Sequence, residues 1–322
     1  MSILVTGGAG FIGSNLVDTL MDNCKDQHVI VIDNLSSGNL NNLKSQKKAS
    51  SNFSFLKQDL KNPALKLEED VDVIYHLAAN PEVRIGAINP EVHFNENIIA
   101  TYNLLEAARK CEGGRMELFV FASTSTVYGE ASRIPTAEDY GPTKPISIYG
   151  ATKLASESLV SAYASSYGFR AIIYRLANVI GPRSNHGIIP DLISKLERNR
   201  KELEILGDGS QTKSYLHVRD CVSGILTGVE QRIRGDQRQI EIFNLASKDQ
   251  INIMKIVEII CEQMGLQDVK FIHRNVAPDG RGWIGDVKFM GLDISKLESL
   301  GWKPSMSSHQ AVKRTIREII GK

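Results

Sequence analysis

The sequence predicts an α/β fold: a doubly wound parallel sheet with a smaller mixed α/β lobe. Short β-branched runs alternate with helical patterns through the first half of the chain, and parallel strands need crossovers that are usually helical. Three glycines follow the first predicted strand, and an aspartate ends the second. The alternation loosens after Asn178, which indicates where the second lobe begins.

The first half of the chain supplies most of the predicted elements. The strand-like runs are, in order, "ILVTG", "HVIVIDN", "FSFLKQD", "VDVIYHLAA", "LFVFAST" and "RAIIYRLAN". The helical patterns that fall between them include "SNLVDTLMDN", "NIIATYNLLEAARKC" and "KLASESLVSAYASSYG". Because each run is short and apolar on both alternating positions, the strands are expected to be covered on both faces.

The second half predicts a mixed lobe. It contains one further strand-like run, "IEIFNLAS", and a helix, "NIMKIVEIICEQMG". We expect the chain to return to the large sheet at that run, near residues 240–246. There is no internal repeat and no low-complexity linker to mark a sharp boundary.

Composition excludes several classes of function. The 322 residues include 38 Lys and Arg against 37 Asp and Glu, so there is no electrostatic case for a nucleic-acid or membrane-surface partner. No apolar run approaches membrane-spanning length, and no signal peptide is recognisable. Four cysteines lie far apart without metal-ligand spacing, which predicts no metal site and reduced thiols in a cytoplasmic protein: Cys24, Cys111, Cys221 and Cys261.

The glycine-rich segment "LVTGGAGFIGSNL" predicts a dinucleotide-binding turn. Gly7, Gly10 and Gly13 stand between the first strand and the first helix, where glycines allow a close approach to a pyrophosphate at the helix N-terminus. Asp33 ends the second strand, twenty residues after Gly13. A carboxylate there binds the ribose 2′-OH and repels a 2′-phosphate, so a Rossmann-type site for NAD, and not NADP, is expected.

The segment "YGATK" predicts a reactive tyrosine. Lys153 follows Tyr149 by one helical turn and therefore lies on the same face. Poising a phenol of ordinary pKa about 10 near neutrality requires roughly 4 kcal/mol, which a lysine and an oxidised nicotinamide together could supply. Gly150 and Ala151 between them leave room for a cofactor and a sugar. In isolation, the same spacing would fit a surface helix with an exposed lysine.

The chain resembles the extended short-chain dehydrogenase/reductase family of NAD-dependent epimerases and dehydratases, and within it the UDP-glucose (UDP-galactose) 4-epimerases. The motifs that carry the resemblance run along nearly the whole chain: "TGGAGFIGS", "VIDNLSSG", "STSTVYGE", "YGATK", "RLANVIGPR", "GDGSQTKSYLHVRD" and "LDISKLESLGWKP". The resemblance implies that Tyr149 is the general base and acid. It also implies that Lys153 lowers the tyrosine pKa and holds the nicotinamide ribose, and that Thr124 binds the reacting oxygen of the sugar.

The resemblance also implies two sets of binding residues. Those expected to bind NAD are Gly7, Gly10, Phe11, Ile12, Gly13, Asp33, Asn34, Ser37, Gly38, Asp59, Leu60, Leu77, Ala78, Ala79, Arg84, Asn97, Ala122, Ser123, Tyr149, Lys153 and Leu176. Those expected to bind the nucleotide sugar are Arg84, Thr124, Ser125, Tyr149, Asn178, Ile188, Lys213, Tyr215, Arg281 and Met290.

Two positions depart from the family pattern. Lys213 stands where arginine is usual, and an exposed, solvated amine is the alternative interpretation of that residue. Trp283 stands where an arginine usually precedes the Gly-Asp motif, and we expect Arg281 to substitute for it.

The hydroxyl residues favour one reaction among those of the family. Dehydratases carry an Asp-Glu pair directly after the threonine, whereas this chain has Ser125 and Thr126. The resemblance therefore implies 4-epimerisation of UDP-glucose and UDP-galactose through a transient 4-keto sugar. Met290, slimmer than the tyrosine that restricts the family's sugar pocket, predicts activity on the N-acetylhexosamine pair as well. The alternatives are another nucleotide-sugar enzyme (a decarboxylase, dehydratase or reductase) and a non-catalytic NAD-binding regulator.

The expected organisation follows from the same resemblance. Residues 1–177, with the later strand near 240–246, are predicted to form the NAD-binding domain, and residues 178–322 the discontinuous sugar-nucleotide lobe. A homodimer is expected through the helices "NIIATYNLLEAARKC" and "KLASESLVSAYASSYG". Leu104, Leu105, Leu154 and Leu159 fit that contact, and they equally fit packing on the sheet.

Overall fold

A computed structural model describes residues 1–23, 27–44, 51–67, 70–111, 116–235, 238–274, 277 and 279–321. Cys24 lies outside the described residues, so its predicted state has no structural counterpart.

The main sheet of the described chain contains seven parallel strands. The strands of this sheet and of the smaller sheets in the described chain are, in chain order, β1 Ser2–Thr6, β2 His28–Asp33, β3 Phe53–Lys57, β4 Val73–His76, β5 Leu118–Thr124, β6 Arg170–Leu176, β7 Asn178–Ile180, β8 Glu202–Leu206, β9 Thr212–Lys213, β10 Tyr215–His217, β11 Ile240–Leu245, β12 Ile251–Asn252, β13 Lys270–Arg274 and β14 Phe289–Met290. The order in the main sheet is β11-β6-β5-β4-β1-β2-β3. From β1, the chain adds β2 and β3 on one side of the sheet and then β4, β5 and β6 on the other. Ligands of open α/β sheets bind at such a reversal of strand order, here between β1 and β4. The predicted fold class is confirmed.

Helices pack against this sheet and, in the second half of the described chain, against one another. They are α1 Phe11–Asn23, α2 Pro90–His93, α3 Ala100–Arg109, α4 Ile148–Tyr167, α5 Ile188–Arg198, α6 Val218–Arg234, α7 Ile253–Met264, α8 Ser295–Glu298 and α9 Ser308–Ile320. A π-helical segment, Phe94–Ile99, joins α2 to α3, and a 3-10 turn, Ser125–Tyr128, follows β5. None of the helices in the described ranges is long and apolar enough to cross a membrane.

Alternate residues of the central strands enter different cores, as expected for a sheet covered on both faces. In β1, Ile3 and Val5 pack in one core and Leu4 in the other. In β5, Val120 and Phe121 divide in the same way. The second half of the chain has a core of its own, built from α5, α7 and α9: Ile189, Leu192, Ile193, Leu196, Ile256, Val257, Ile260, Val312 and Ile316.

The leucines proposed for a contact between subunits pack within the chain. Leu104 and Leu105 are fully buried in the core beneath the main sheet. Leu154 and Leu159 are partly buried and pack against the two cores of that sheet. Packing on the sheet is therefore the structural role of Leu104 and Leu105, and the homodimer stays a prediction that rests on other residues.

Small sheets organise the second half of the described chain. Strand β9 lies between β12 and β14, and Met290 of β14 pairs with Lys213 of β9. Strand β10 pairs with β7, and β7 follows β6 directly in the chain. The short strands thus bring two predicted sugar-nucleotide residues next to the end of the main sheet. The division of the chain at residues 177 and 178 stays a prediction.

Candidate active site

A cavity of about 690 Å³ lies at the carboxyl ends of β1, β2, β4, β5 and β6 and extends to α5, β9 and the segment before β14. Nearly all of the predicted site residues line it. The exceptions are Gly38 and Asn97 of the NAD set and Arg281 of the sugar-nucleotide set. The structure therefore brings the glycine-rich turn, the tyrosine-lysine pair and the hydroxyl cluster to one cavity.

The glycine-rich turn needs its glycines for close packing. Gly7 has a φ of 69°, and a Cβ there would lie 2.7 Å from the backbone nitrogen of Ala78. A Cβ on Gly13 would collide with the carbonyl oxygen of Gly7. Side chains are thus excluded at Gly7 and Gly13, beside the N-terminus of α1, where a helix favours binding of a diphosphate.

Asp33 is held firmly at the end of β2. Its Oδ2 accepts a hydrogen bond from the backbone nitrogen of Ala9 (2.9 Å), and its Oδ1 accepts one from Leu35 (2.8 Å). A carboxylate oxygen can accept two hydrogen bonds, so each oxygen of Asp33 can also accept one from a ribose hydroxyl. Together with the cradle of the glycine turn, this donor and acceptor set fits NAD.

Two predicted NAD residues lie behind the cavity wall. A Cβ on Gly38 would lie 2.9 Å from both oxygens of Asp33, so Gly38 makes room for that carboxylate. Asn97 is buried in the π-helical segment, where it donates to Thr152 Oγ1 (3.0 Å) and accepts from the Asn80 nitrogen (3.1 Å). Asn97 therefore supports the wall through side-chain groups that the protein already occupies, and Gly38 supports it by making room for Asp33.

The tyrosine and lysine lie in the first turns of α4. Ser147 caps the helix by accepting a hydrogen bond from the Gly150 nitrogen (3.0 Å). A Cβ on Gly150 would lie 2.7 Å from the Thr126 carbonyl oxygen, and Ala151 is exposed. The glycine therefore lets α4 approach the hydroxyl cluster, and the expectation that these two small residues make room for ligands was wrong.

Lys153 is buried and is held at the end of β5. Its Nζ donates to the Ala122 carbonyl oxygen (2.7 Å) and lies 4.7 Å from the centroid of the Phe121 ring. Burial lowers the pKa of Lys153 to about 7, and the negative charge of Glu157 opposes that change.

Burial also acts on the tyrosine. It raises the pKa of Tyr149 to about 12, while a hydrogen bond with the Thr124 side chain opposes the rise. The expected lowering of this pKa is therefore not produced by the chain's own side chains, because desolvation outweighs them. Burial opposes the charged form of both residues in the pair.

The hydroxyl cluster follows β5 directly. Thr124 caps the 3-10 turn by accepting from the Thr126 nitrogen (3.2 Å), and its Oγ1 lies 3.1 Å from Thr126 Oγ1. Ser123 donates its hydroxyl to Glu157. Thr124 therefore faces the tyrosine, whereas the Ser123 hydroxyl is occupied on the side of α4.

Glu157 and Arg175 were missed by the sequence analysis. Glu157 has a recognisable signal, since it follows Lys153 by four residues and so lies on the same face of α4. Arg175 of β6, which pairs with it at 2.8 Å, has no signal in the sequence.

Lys213 and Trp283 lie together at the sugar-nucleotide end of the cavity. Lys213 Nζ is 2.5 Å from Asp286 Oδ1 and 5.4 Å from the centroid of the Trp283 ring. The side chain of Lys213 is 13% exposed, so the alternative of a solvated surface amine is wrong.

Arg281 does not substitute for the missing arginine in this structure. Its guanidinium pairs with Glu130 at 2.8 Å and with Asp279, and it donates to the Asp286 carbonyl oxygen (2.7 Å). These partners hold it outside the cavity wall. Position in the motif did not reveal the direction of the side chain.

The remaining predicted substrate residues line the cavity with varied partners. Arg84 makes two hydrogen bonds to the Glu82 carboxylate, at 2.8 and 2.9 Å, and Asn178 donates to the Ser214 carbonyl oxygen (3.3 Å). Ile188, Tyr215 and the buried Met290 contribute the other side of the wall.

The doubly wound sheet, the glycine turn and the tyrosine-lysine pair define an NAD-dependent enzyme of the short-chain dehydrogenase/reductase class. Residues 3–246 match the NAD dependent epimerase/dehydratase family. The chain belongs to this family, whose members act on nucleotide sugars.

Solved structures of family members match the chain along its length. A UDP-galactose 4-epimerase is 42% identical, with a TM-score of 0.86, and the match covers 100% of this chain and 99% of that one. A UDP-glucose 4-epimerase from Thermotoga maritima, bound to UDP-glucose, is 32% identical with a TM-score of 0.85 and the same coverage. A UDP-glucuronic acid 4-epimerase from Bacillus cereus, bound to UDP-glucuronic acid and NAD, is 32% identical with a TM-score of 0.86, again covering 100% and 99%.

Proposed function

We propose that the protein is a 4-epimerase that interconverts UDP-glucose and UDP-galactose. The observation that carries this proposal is the hydroxyl cluster: Thr124 contacts Tyr149, and Ser125 and Thr126 occupy the positions after it. Elimination of water needs an additional acid and base, which two hydroxyl side chains do not provide. Oxidation at C4 followed by reduction is the outcome that these residues support.

Each residue of the cluster has a part in this reaction. The glycine turn and Asp33 would hold NAD, which would supply acceptance of a hydride from C4 of the sugar and its return to the opposite face. Tyr149 removes the proton of the C4 hydroxyl and later returns it, and Thr124 holds that oxygen by a hydrogen bond. The Lys153 ammonium stabilises the phenolate form of Tyr149.

The nucleotide diphosphate is assigned to the second half of the chain. Lys213 provides positive charge near the end of β9, and Asn178 provides an amide beside β6. The names of the similar structures include UDP-galactose, UDP-glucose and UDP-glucuronic acid, which supports uridine as the base. Met290 at the cavity wall supports acceptance of the N-acetylhexosamine pair.

The proposed enzyme is a cytoplasmic homodimer. Cys221 and Cys261 are buried and not in disulfides, which suits a reducing compartment. Tyr102 of α3 and Tyr167 of α4 are 43% and 45% exposed on the two helices expected to form the contact.

The experiment that tests the proposal is turnover of UDP-galactose by the purified protein, with the product identified by NMR. We expect UDP-glucose to form at the expense of UDP-galactose without added reductant, and NAD to be recovered from the denatured protein. A parallel screen of UDP-, dTDP-, GDP- and ADP-sugars identifies the base. Formation of a 4-keto-6-deoxy sugar, or turnover restricted to another nucleotide, would contradict the proposal.

A further inference from the structure

A buried ion pair lies next to the active site, and the reaction described above does not use it. Glu157 of α4 and Arg175 of β6 are 5% and 7% exposed. Arg175 Nη2 donates to Glu157 Oε2 (2.8 Å), and its Nε donates to Oε1 (3.1 Å). A buried ion pair is often no more stabilising than packed apolar side chains of the same volume. Stability is therefore a weak reason for these charges to be present.

The carboxylate of Glu157 is fixed from several directions. Ser123 donates its hydroxyl to Oε1. The Arg175 guanidinium lies 4.7 Å from the centroid of the Tyr128 ring and donates Nη1 to the Glu138 carbonyl oxygen (3.1 Å). These contacts fix the position of the carboxylate. Because Ser123 precedes Thr124 directly, they also join the strand that carries Thr124 to the helix that carries the tyrosine and lysine.

Glu157 is the nearby anion that can stabilise the Lys153 ammonium. The two residues are four apart on α4, a spacing that brings Cβ atoms to about 5–6 Å. The groups that the ammonium contacts directly, the Ala122 carbonyl and the Phe121 ring, carry no net charge. Burial lowers the pKa of Lys153 to about 7, and Glu157 acts in the opposite direction.

The other titratable groups around Lys153 do not supply a negative charge at neutral pH. Tyr149, on the same helix, has its pKa raised by burial to about 12. His76 of β4 and His93 of α2 have lowered pKa values, chiefly through burial and in part through the Lys153 charge. Arg175 of β6 is a cation and binds the Glu157 carboxylate. Among the described residues around Lys153, Glu157 is therefore the group whose negative charge offsets the charge of the ammonium.

We propose that Glu157 is a positioning residue: fixed by Arg175 and Ser123, its carboxylate keeps the Lys153 ammonium in its charged form beside Tyr149. The proposal rests on the role given to Lys153 in the proposed function. It assigns the buried ion pair to the electrostatics of the reaction and not to the stability of the sheet.

The first test needs no turnover. Lys153 has a folded-state pKa of about 7 against its ordinary 10.5. Below pH 7 both states carry the proton, and the folded state bears the cost of a buried charge. Above pH 7 the unfolded state binds more protons, so stability rises with pH up to about 10.5. The difference in unfolding free energy between the protein and Lys153→Met, followed from pH 5 to 9, reports this titration.

Glu157→Gln should move the onset of that rise to lower pH by about one unit or more, because an opposite charge at this separation shifts a pKa by about 1–3 units. The comparison is Glu157→Gln against Glu157→Gln/Lys153→Met. Removing one partner of a buried pair is strongly destabilising, so Glu157→Gln/Arg175→Met is measured as well. That pair of substitutions removes both charges, and its onset should lie between those of the other two. An onset at the original pH in either folded variant would overturn the proposal.

The second test is the pH dependence of turnover. Glu157→Gln should shift the falling limb, which follows loss of the Lys153 proton, to lower pH by about one unit, and Glu157→Asp should leave its position unchanged while lowering kcat. Glu258→Gln, at an exposed glutamate of α7, is the matched control and should move neither limb. A uniform loss of kcat without a shifted limb would show a purely structural role and overturn the proposal. A shifted stability onset in a protein without epimerase activity would uphold the role of Glu157 and contradict the proposed function.

Discussion

Replacing Lys153 by methionine tests the electrostatic account of the active site most directly. Methionine keeps most of the apolar stem that passes Phe121 and removes the ammonium that donates to the Ala122 carbonyl. We expect kcat to fall at neutral pH, the rising limb of the pH profile to move upward and the falling limb to disappear. The rising limb moves because the tyrosine loses its positive neighbour. The falling limb disappears because the group that titrates there is gone.

The size of the effect follows from the burial of the tyrosine. The pKa of Tyr149 in the chain alone is about 12, four units above pH 8, and each unit corresponds to about 1.4 kcal/mol. Formation of the phenolate at pH 8 thus requires about 5 kcal/mol of stabilisation. One ammonium within a few ångströms lowers a pKa by about 1–3 units. Lys153→Met should therefore reduce kcat by about 10- to 1000-fold in the pH range where Lys153 is protonated, and recover activity as the pH rises.

The assay is the pH dependence of kcat for UDP-galactose, with the NAD content of each preparation measured after denaturation. Lys255→Met is the control, since Lys255 is exposed on α7 and pairs with Glu258 at 2.9 Å. The control should show the pH profile of the unmodified protein. If Lys153→Met loses the same fraction of activity at every pH, the lysine acts by position alone, and the electrostatic reasoning is refuted.

Substitutions at four other residues test individual roles. Tyr149→Phe should reduce kcat by about 10²- to 10⁴-fold, the usual contribution of a general base, while NAD content is unchanged; activity near that of the unmodified protein would exclude the role. Thr124→Ala should lower kcat less than Tyr149→Phe does, whereas Thr124→Ser should be nearly neutral, and an inactive serine variant would indicate that the methyl group matters. Asp33→Asn should weaken the preference for NAD over NADP in equilibrium binding, because the repelling charge is lost; an unchanged ratio would contradict its placement at the ribose. Met290→Tyr should depress steady-state turnover of UDP-N-acetylglucosamine more than that of UDP-glucose, and equal losses would count against a gate at this residue.

The main sheet could be predicted from the sequence because its strands are apolar on both faces. Each strand-like run identified in the sequence, including "IEIFNLAS", became a strand of that sheet. The small strands of the second half could not be predicted in this way. β9, β12 and β14 have two residues each, and such short segments are defined by their pairing partners and not by a pattern of their own.

The candidate site was predictable where the chemistry depends on spacing along one element. Tyr149 and Lys153 share a helix face, and the glycine turn depends on backbone conformation that glycine permits. The direction in which a side chain points, and the residues with which it pairs, could not be predicted from the sequence. Arg281 has the right charge for a diphosphate, but Glu130 and Asp279 determine where its guanidinium lies. Arg175 lies on a different element from Glu157, so the ion pair forms only when β6 lies beside β5 and α4 packs against them.

The opposed effects of burial on Tyr149 and Lys153 explain why the site requires several charged groups. Burial raises the pKa of the first to about 12 and lowers that of the second to about 7, so the uncharged forms of both are favoured in the chain alone. With its pKa raised in this way, Tyr149 remains protonated in the chain alone and does not act as a base. It becomes effective when positive charge is placed beside the phenol and negative charge is kept beside the amine. Under the proposed function, bound oxidised NAD would meet the first requirement and Glu157 the second, so proton abstraction would be confined to a cavity that also holds the oxidant.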